Sequence, residues 1–260
     1  MASLHTHTFG PAAGPPVLAL HGVTGHGRRY RRLAEEGLPE MRVVAPDLRG
    51  HGRSIWEPPW SVETLVADLL DTLDAADVER AAVVGHSYGG LLGMHLAAHA
   101  PARVERLVLI DPAVALPAAD MLEAAESTRR DEGWDTEEEA RADRMSFRPP
   151  SGRWAVAEEL AEALELGDDG RYRLRYCRSA AVCAWGEMAR PAASLASYAG
   201  DVLLVPALQD DYVGDDLRGS LRADVGDRLT ERGIDSSHMI YWDAFGELVS
   251  VIRPFLLGTT

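Results

Sequence analysis

The sequence predicts an α/β fold, with a mostly parallel twisted sheet of about seven or eight strands, helices on both faces and an inserted helical cap. Three observations carry this prediction. Short continuous apolar runs, typical of strands buried on both faces, alternate with helical patterns. A serine between glycines joins one such run directly to a helix. The alternation stops after residue 112, so we expect a core of residues 1–112 and 198–260 and a cap of residues 113–197.

The first elements come from periodicity and turn residues. Residues 4–9 alternate weakly and predict an antiparallel edge strand. The apolar runs at 17–20 and 43–45 predict parallel strands, and residues 28–36 between them predict a helix. A crossover helix is predicted from Ser61, its N-cap, to residue 76.

The central strand, residues 81–84, runs into Gly85-His86-Ser87-Tyr88-Gly89. A G-x-S-x-G turn between a strand and a helix forces the serine into a strained conformation. Gly85 and Gly89 must lack side chains so that strand and helix can approach each other. The turn would present the Ser87 hydroxyl at the carboxyl end of the strand, beside the N–H groups that begin the helix. It therefore predicts a nucleophile next to part of an oxyanion hole.

The rest of the chain returns to the core after an interruption. Residues 104–110 predict a strand, and residues 113–197 are acidic and mainly helical in pattern, with breaks at proline and glycine. The remaining core elements are a strand at 201–205, a helix at 215–225, a short strand at 228–232 and a last helix with an apolar face at Phe245, Leu248, Val249 and Ile252.

Three motifs in this order resemble the α/β-hydrolase family. They are the serine turn, the loop His21-Gly22-Val23-Thr24-Gly25, which resembles the family's HG-x-x-G loop, and residues 47–54, which resemble its D-x-x-G-x-G-x-S loop. The resemblance runs from about Pro15 to Leu257 and implies the same fold with a helical cap over the serine. It also implies that the backbone N–H groups of Val23 and Tyr88 form the oxyanion hole.

A serine nucleophile needs a base, usually histidine, and the base needs an acid. The family order is serine, acid, histidine. His95 and His99 follow Ser87 on the helix that it begins and lie too far along that helix to reach its hydroxyl. The base is therefore predicted to be His238, in the loop after the last strand.

The acid is predicted to be Asp210, four residues beyond Pro206, in the position of the family's strand-G-x-x-D acid. The chain departs from that pattern because Ala207 stands where glycine is common. Asp111, at the end of the preceding core strand, and Asp211 remain alternatives. We expect the substrate to contact side chains near these motifs and in the cap, namely Thr24, His86, Trp134, Trp154, Trp185 and Met239.

These residues predict a serine hydrolase that cleaves a small carboxylic ester or lactone, with an apolar acyl group under the cap. A serine at position 87 disfavours epoxide hydrolases and haloalkane dehalogenases, whose relatives carry aspartate there. The same triad would also serve C–C bond hydrolysis, perhydrolysis or hydroxynitrile cleavage. A ligand-binding protein on the same scaffold remains a further alternative.

Composition limits partners and cofactors. The net charge is −15, which argues against nucleic acid and anionic membranes as partners. Cys177 and Cys183 imply no disulfide framework, and the scattered histidines predict no metal site. No phosphate loop or dinucleotide fingerprint is present, so we expect no cofactor. The N-terminus lacks a signal-peptide pattern, and we expect a cytoplasmic monomer or homodimer.

Overall fold

The computed structural model describes residues 4–146 and 148–259. The strands in this part of the chain are β1 (Thr6–Phe9), β2 (Pro16–Leu20), β3 (Arg42–Pro46), β4 (Ala81–His86), β5 (Val104–Ile110), β6 (Leu164–Leu166), β7 (Tyr172–Leu174), β8 (Asp201–Val205) and β9 (Leu229–Glu231). The helices are α1 (Val62–Ala75), α2 (Tyr88–His99), α3 (Ala118–Arg130), α4 (Glu137–Ser146), α5 (Trp154–Ala163), α6 (Arg178–Met188), α7 (Asp215–Val225), α8 (Ile240–Asp243) and α9 (Phe245–Leu257).

The main sheet has seven strands in the order β1-β3-β2-β4-β5-β8-β9. The edge strand β1 pairs antiparallel with β3, and every other neighbouring pair is parallel. This confirms the predicted fold class and the predicted edge strand. Because the inner strands are parallel, the loops after β2, β4, β5 and β8 meet at one edge of the sheet, where sites form in such folds.

Apolar layers cover both faces of the sheet. One layer packs α1, α2 and α7 against the strands, and the other packs residues 30–41, α8 and α9 against the opposite face. All six residues of β4 are buried, as expected of a central strand. The crossover helix α1 begins after Ser61, whose hydroxyl accepts the Thr64 N–H at 3.4 Å, as the sequence predicted.

The segment predicted as a helix at residues 28–36 is helical, but it is not a regular α-helix. The chain forms a 3₁₀ turn at Gly27–Tyr30 and a π-helical turn at Leu33–Gly37. Contacts outside the segment fix these turns, since Asp47 accepts the Gly27 N–H at 2.7 Å and the Tyr30 hydroxyl donates to the Leu20 carbonyl at 2.6 Å. A Cβ on Gly27 would lie 2.1 Å from the Ala45 carbonyl oxygen, so the chain can approach β3 only with glycine there.

The chain between β5 and β8 contains α3, α4, α5 and α6, together with the antiparallel hairpin β6–β7. The sequence predicted a mainly helical segment but not the hairpin. Leu160 and Ala163 of α5 and Leu174 of β7 form part of a separate small apolar cluster. The part of this inserted segment around α5 and β7 therefore has its own packing centre, whereas Met121 of α3 and Met188 of α6 belong to the core layer of α1 and α2. Within the described residues, no helix combines the length and the apolar character needed to cross a bilayer.

Candidate active site

Ser87 lies in the strained turn that the sequence predicted, with φ 55° and ψ −121°. Its N–H donates to the Ile110 carbonyl at 3.1 Å, and its carbonyl accepts from the N–H of Ala113 at 3.1 Å, so β5 and the loop after it hold the conformation. A Cβ on Gly85 would lie 2.3 Å from the Gly89 carbonyl oxygen, and one on Gly89 would lie 2.1 Å from that of Leu20. Both glycines are therefore required by close backbone approach, as predicted.

The loop after β2 runs beside Ser87. Its residues Gly22 to Gly25 form a tight turn in which the Gly25 N–H donates to the Gly22 carbonyl at 3.0 Å and Thr24 takes φ 62°. A Cβ on Gly22 would lie 3.0 Å from the Ser87 Cβ, so the two loops touch. In the described chain, the N–H groups of Val23 and Tyr88 donate to no protein acceptor. Both donors are thus available to a ligand oxygen.

His21 fixes this loop from below. It is fully buried, and its Nε2 accepts the Leu48 N–H at 2.9 Å. Its Nδ1 therefore carries the proton and donates to the Gly22 carbonyl at 2.8 Å. Burial, and after it the nearby His51, hold the pKa of His21 well below its ordinary value. His21 is a neutral link between the loops after β2 and β3.

The His238 imidazole is paired with Asp111. Its Nδ1 lies 2.5 Å from Asp111 Oδ2, and the buried Asp111 carboxylate also accepts the Ala207 N–H at 3.0 Å through Oδ1. Because a carboxylate accepts, Nδ1 carries the proton and Nε2 is left as the basic nitrogen. In the described chain no hydrogen bond yet joins this Nε2 to the Ser87 hydroxyl, a contact that is often loose before substrate binds.

The expectation that Asp210 would lie against the imidazole is not met. Asp210 instead accepts the backbone N–H of His238 at 2.5 Å, so it fixes the loop rather than the ring. Asp211, the neighbouring alternative, is exposed. The strands β5 and β8 are adjacent, and the buried loop after β5 brings Asp111 to Nδ1 from directly beside Ser87.

Two further aromatic side chains position His238. The Tyr212 ring stacks on the imidazole with centroids 3.9 Å apart and planes 15° apart. The His86 Nε2 donates to the His238 carbonyl at 2.8 Å. Burial, followed by the neighbouring His238, lowers the pKa of His86 well below its ordinary value, so His86 is a neutral donor.

A cavity of about 150 Å³ joins these residues. It is lined by Gly22, Val23, Thr24, Arg29, His86, Ser87, Arg144, Arg148, Trp185, Tyr212, His238 and Met239. Of the residues predicted to contact substrate, Thr24, His86, Trp185 and Met239 therefore border it. Trp185 is held in place by the 2.8 Å hydrogen bond from its Nε1 to Thr128 Oγ1.

Trp134 and Trp154 do not border this cavity, contrary to the prediction. Trp134 pairs through its backbone with Tyr172 and packs against the small cluster of the inserted segment. Trp154 lines a different cavity, under the Arg32 guanidinium, with its Nε1 directed at the Trp242 carbonyl at 3.3 Å. The Trp134 ring thus packs within the inserted segment, whereas the Trp154 ring packs against the core layer that contains α8 and α9.

Sequence reasoning missed Tyr212 and three arginines of the cavity: Arg29, Arg144 and Arg148. Tyr212 had a usable signal, because it lies in the loop after β8, at the edge where the motifs meet. The arginines had none, because Arg144 and Arg148 lie in an acidic segment and Arg29 lies in an arginine-rich one, and in both settings a guanidinium predicts only a solvated surface.

A buried ion pair joins the loop after β2 to the inserted segment. Arg29 Nε lies 2.9 Å from Oε2 of Glu159 on α5, and the two side chains are 4% and 2% exposed. His26 Nε2 lies 3.0 Å from the same carboxylate. Burial acts to raise the pKa of Glu159, but the charge of Arg29 holds it well below its ordinary value. Arg29 Nη2 also donates to the Thr24 carbonyl at 3.5 Å, within the tight turn beside Ser87.

One group of side chains has the composition of a metal site. The ligand atoms of His5, His7 and Asp47 lie within 4.8 Å of one another. The Asp47 carboxylate already accepts the N–H groups of Gly27 at 2.7 Å and Arg53 at 2.9 Å. Because the Asp47 oxygens already accept these backbone hydrogen bonds, no ion is needed to explain why the three side chains lie together.

Comparison with known proteins agrees with this geometry. A profile described as the alpha/beta hydrolase fold matches residues 15–145, which span β2 through α4. The chain belongs to the α/β-hydrolase fold family. It is 38% identical over 264 residues to Lipase LipV of Mycobacterium tuberculosis, a match that covers 97% of each chain.

Two further proteins are similar to this chain over different extents. Esterase YbfF of Escherichia coli is 36% identical over 96 residues, which are 37% of this chain and 38% of that protein. A solved structure titled as a marine microorganism esterase superposes with a TM-score of 0.81 at 19% identity, covering 98% of this chain and 100% of that one. The latter similarity concerns the fold alone.

Proposed function

We propose that this α/β-hydrolase is a serine hydrolase that cleaves a small carboxylic ester or lactone through an acyl-enzyme. The observation that carries the proposal is that strained Ser87 and the Asp111-paired His238 border one cavity. The relatives named as a lipase and an esterase support ester bonds as the bonds cleaved.

In the first step, Ser87 Oγ attacks the substrate carbonyl carbon while His238 Nε2 takes its proton. The carbonyl π electrons move to oxygen and form a tetrahedral intermediate. His238 then gives the proton to the leaving alcohol as the C–O bond breaks, which leaves an acyl group on Ser87. Water attacks this acyl group with His238 again as base, and release of the acid restores Ser87.

Asp111 stabilises the imidazolium that forms in each half of the cycle. Its carboxylate is fixed by the Ala207 N–H and cannot turn away from Nδ1 without losing that bond. The pairing also selects the tautomer in which Nε2 is free to accept a proton. Asp111 is therefore our proposed triad acid, and Asp210 a residue that positions the His238 backbone.

The developing oxyanion would be held by the backbone N–H groups of Val23 and Tyr88. The Tyr88 N–H lies at the N-terminus of α2, where the helix dipole favours negative charge. The loop carrying Val23 touches Ser87 through Gly22. Two fixed donors from separate loops would then meet the oxygen that gains charge in the transition state.

The inserted segment is proposed to be a cap. It contributes Arg144, Arg148 and Trp185 to the cavity, while the remaining lining residues come from the core. The buried pair of Arg29 and Glu159 would hold it against the loop after β2. A substrate would therefore contact both the machinery of the core and side chains of the cap.

Steady-state hydrolysis of p-nitrophenyl acetate and butyrate tests this function. We expect saturable turnover, an initial burst of nitrophenol and an acyl-enzyme mass on the peptide that contains Ser87. Saturable binding of these esters without turnover would contradict a hydrolase and favour a ligand-binding protein on the same scaffold. Turnover with C–C or peroxide substrates but not esters would contradict the ester assignment.

A further inference from the structure

We infer that the substrate of this site carries a carboxylate, which Arg144 and Arg148 of the inserted segment bind. The inference rests on the proposed serine hydrolase function and names the substrate class for it. It also differs from the apolar substrate that the sequence predicted. The chemical class is a small half-ester of a dicarboxylic acid, or another ester with one free carboxylate.

The charge of the cavity is the first observation. Three arginines border it, and its lining contains no aspartate or glutamate. The chain as a whole has 41 acidic residues against 26 arginines, with a net charge of −15. The positive charge of the cavity lining next to Ser87 is therefore opposite in sign to the net charge of the molecule.

The second observation concerns which of these charges are already neutralised. Arg29 is buried against Glu159, so its charge is satisfied within the protein. In the described chain, the guanidinium groups of Arg144 and Arg148 form neither an ion pair nor a hydrogen bond to a protein acceptor. Arg171 and Arg173, which also lie between β5 and β8, behave differently, because each pairs with an aspartate.

The surroundings of Arg148 keep its charge beside the cavity. Its Cζ lies 5.1 Å from the centroid of the Trp242 ring, a contact that orients the guanidinium plane. Asp243 is a nearby acid, but it accepts a hydrogen bond from the Ser237 hydroxyl and lies beyond ion-pair distance of Arg148. Burial, and after it the charge of Arg144, lowers the pKa of Arg148, although the nearby Asp243 acts to raise it.

Size and geometry favour a small carboxylate. A guanidinium offers paired N–H groups that match the two oxygens of a carboxylate. The cavity of about 150 Å³ is below the range of roughly 300–1,000 Å³ typical of sites for larger ligands. A short acyl chain that ends in a carboxylate fits these limits better than a long lipid chain.

Three pairs of ethyl esters test the inference, since each pair differs only in a terminal carboxylate. They are monoethyl succinate and ethyl butanoate, monoethyl glutarate and ethyl pentanoate, and monoethyl adipate and ethyl hexanoate. Ethanol release gives kcat/KM for each. We expect the wild type to prefer the anionic member of at least one pair by about tenfold to a hundredfold, the range for a hydrogen-bonded charge.

The variant Arg148→Gln should reduce that preference by a similar factor, and Arg144→Gln should reduce it in the same direction. Arg141→Gln is the matched control, because Arg141 is exposed on α4 and outside the cavity lining. It makes the same change in net charge and should leave the preference unaltered. Glutarate should inhibit ethyl hexanoate hydrolysis competitively in the wild type, and its inhibition constant should rise with NaCl concentration.

The carboxylate site would be refuted if neutral esters were hydrolysed as fast as anionic ones and glutarate did not inhibit. This result would leave the hydrolase proposal intact. No hydrolysis of any of the six esters, with no covalent labelling of Ser87, would refute the hydrolase proposal instead. In that case calorimetric titration with glutarate decides the inference. Binding by the wild type that is lost in Arg148→Gln supports it, and no binding by the wild type overturns it.

Discussion

The imidazole of His238 is held by Asp111, with 2.5 Å between Nδ1 and Oδ2, while Asp210 contacts only the His238 backbone. Two aspartates thus approach one histidine from two strands. Of the two, only Asp111 contacts the imidazole, and Asp111 is completely buried. Because the two aspartates contact different parts of His238, we expect the change from aspartate to asparagine to have different effects at the two positions.

Asp111→Asn should lower kcat for ester hydrolysis by about 10⁴-fold, because an asparagine cannot stabilise the imidazolium and can select the wrong tautomer. Asp210→Asn is the matched control. Its amide oxygen can still accept the His238 N–H, and we expect a loss below about tenfold. Steady-state kinetics of both variants decide the assignment, and a larger loss for Asp210→Asn would reverse it.

Glu159→Gln should lower the free energy of unfolding by about 3 kcal/mol, since it removes the charge that neutralises Arg29 in a buried site. Glu158→Gln, one position earlier, is the control. Glu158 is 52% exposed in its pair with Arg31, and such surface pairs contribute at most about 1 kcal/mol. Urea unfolding measures both values. Similar losses for the two variants would show that the pair of Arg29 and Glu159 is not a stabilising contact between core and cap.

Stability should fall as pH decreases below about 6.5, in part because of His51. Burial, with a smaller contribution from the charge of Arg29, lowers the pKa of His51 to about 4, although the backbone hydrogen bond to Arg49 acts to raise it. Between pH 6.5 and 4 the unfolded chain therefore binds a proton at this position that the folded chain does not. The contribution of neutral His51 is present above pH 6.5 and is lost as pH falls toward 4.

At pH 5 this single group should cost about 2 kcal/mol relative to pH 7. His51→Gln should reduce the difference in unfolding free energy between the two pH values by about that amount. His99→Gln, at an exposed position on α2, should leave the difference unchanged. An equal pH response of wild type and His51→Gln in urea unfolding would be inconsistent with a neutral buried imidazole.

The residues that local chain geometry dictates were predictable from the sequence. Gly85 and Gly89 predict the turn at Ser87, because only glycine allows the strand and helix backbones on either side of it to come so close. His238 followed from elimination, since the other downstream histidines lie on a helix that leads away from Ser87. The alternation of strands and helices was enough to predict the sheet.

Features that depend on packing between distant segments were not predictable. Asp111 and Asp210 both follow parallel strands at the same sheet edge, and only the three-dimensional packing shows which one meets Nδ1. The sequence does not reveal which way an aromatic residue in the inserted segment faces, so it could not show that Trp185 borders the cavity and Trp134 does not. Residues 27–37 depart from a regular α-helix because tertiary hydrogen bonds fix their 3₁₀ and π-helical turns.

The central claim is that Ser87 is an activated nucleophile. Intact-mass spectrometry after exposure to a fluorophosphonate tests it directly, with wild type, Ser87→Ala and, as a control, Ser179→Ala at an exposed position of α6. We predict one added phosphonyl group on wild type and Ser179→Ala and none on Ser87→Ala, which should also lose p-nitrophenyl butyrate hydrolysis on the order of 10⁴- to 10⁶-fold. No adduct on folded wild type, or an adduct that persists in Ser87→Ala, would contradict the account.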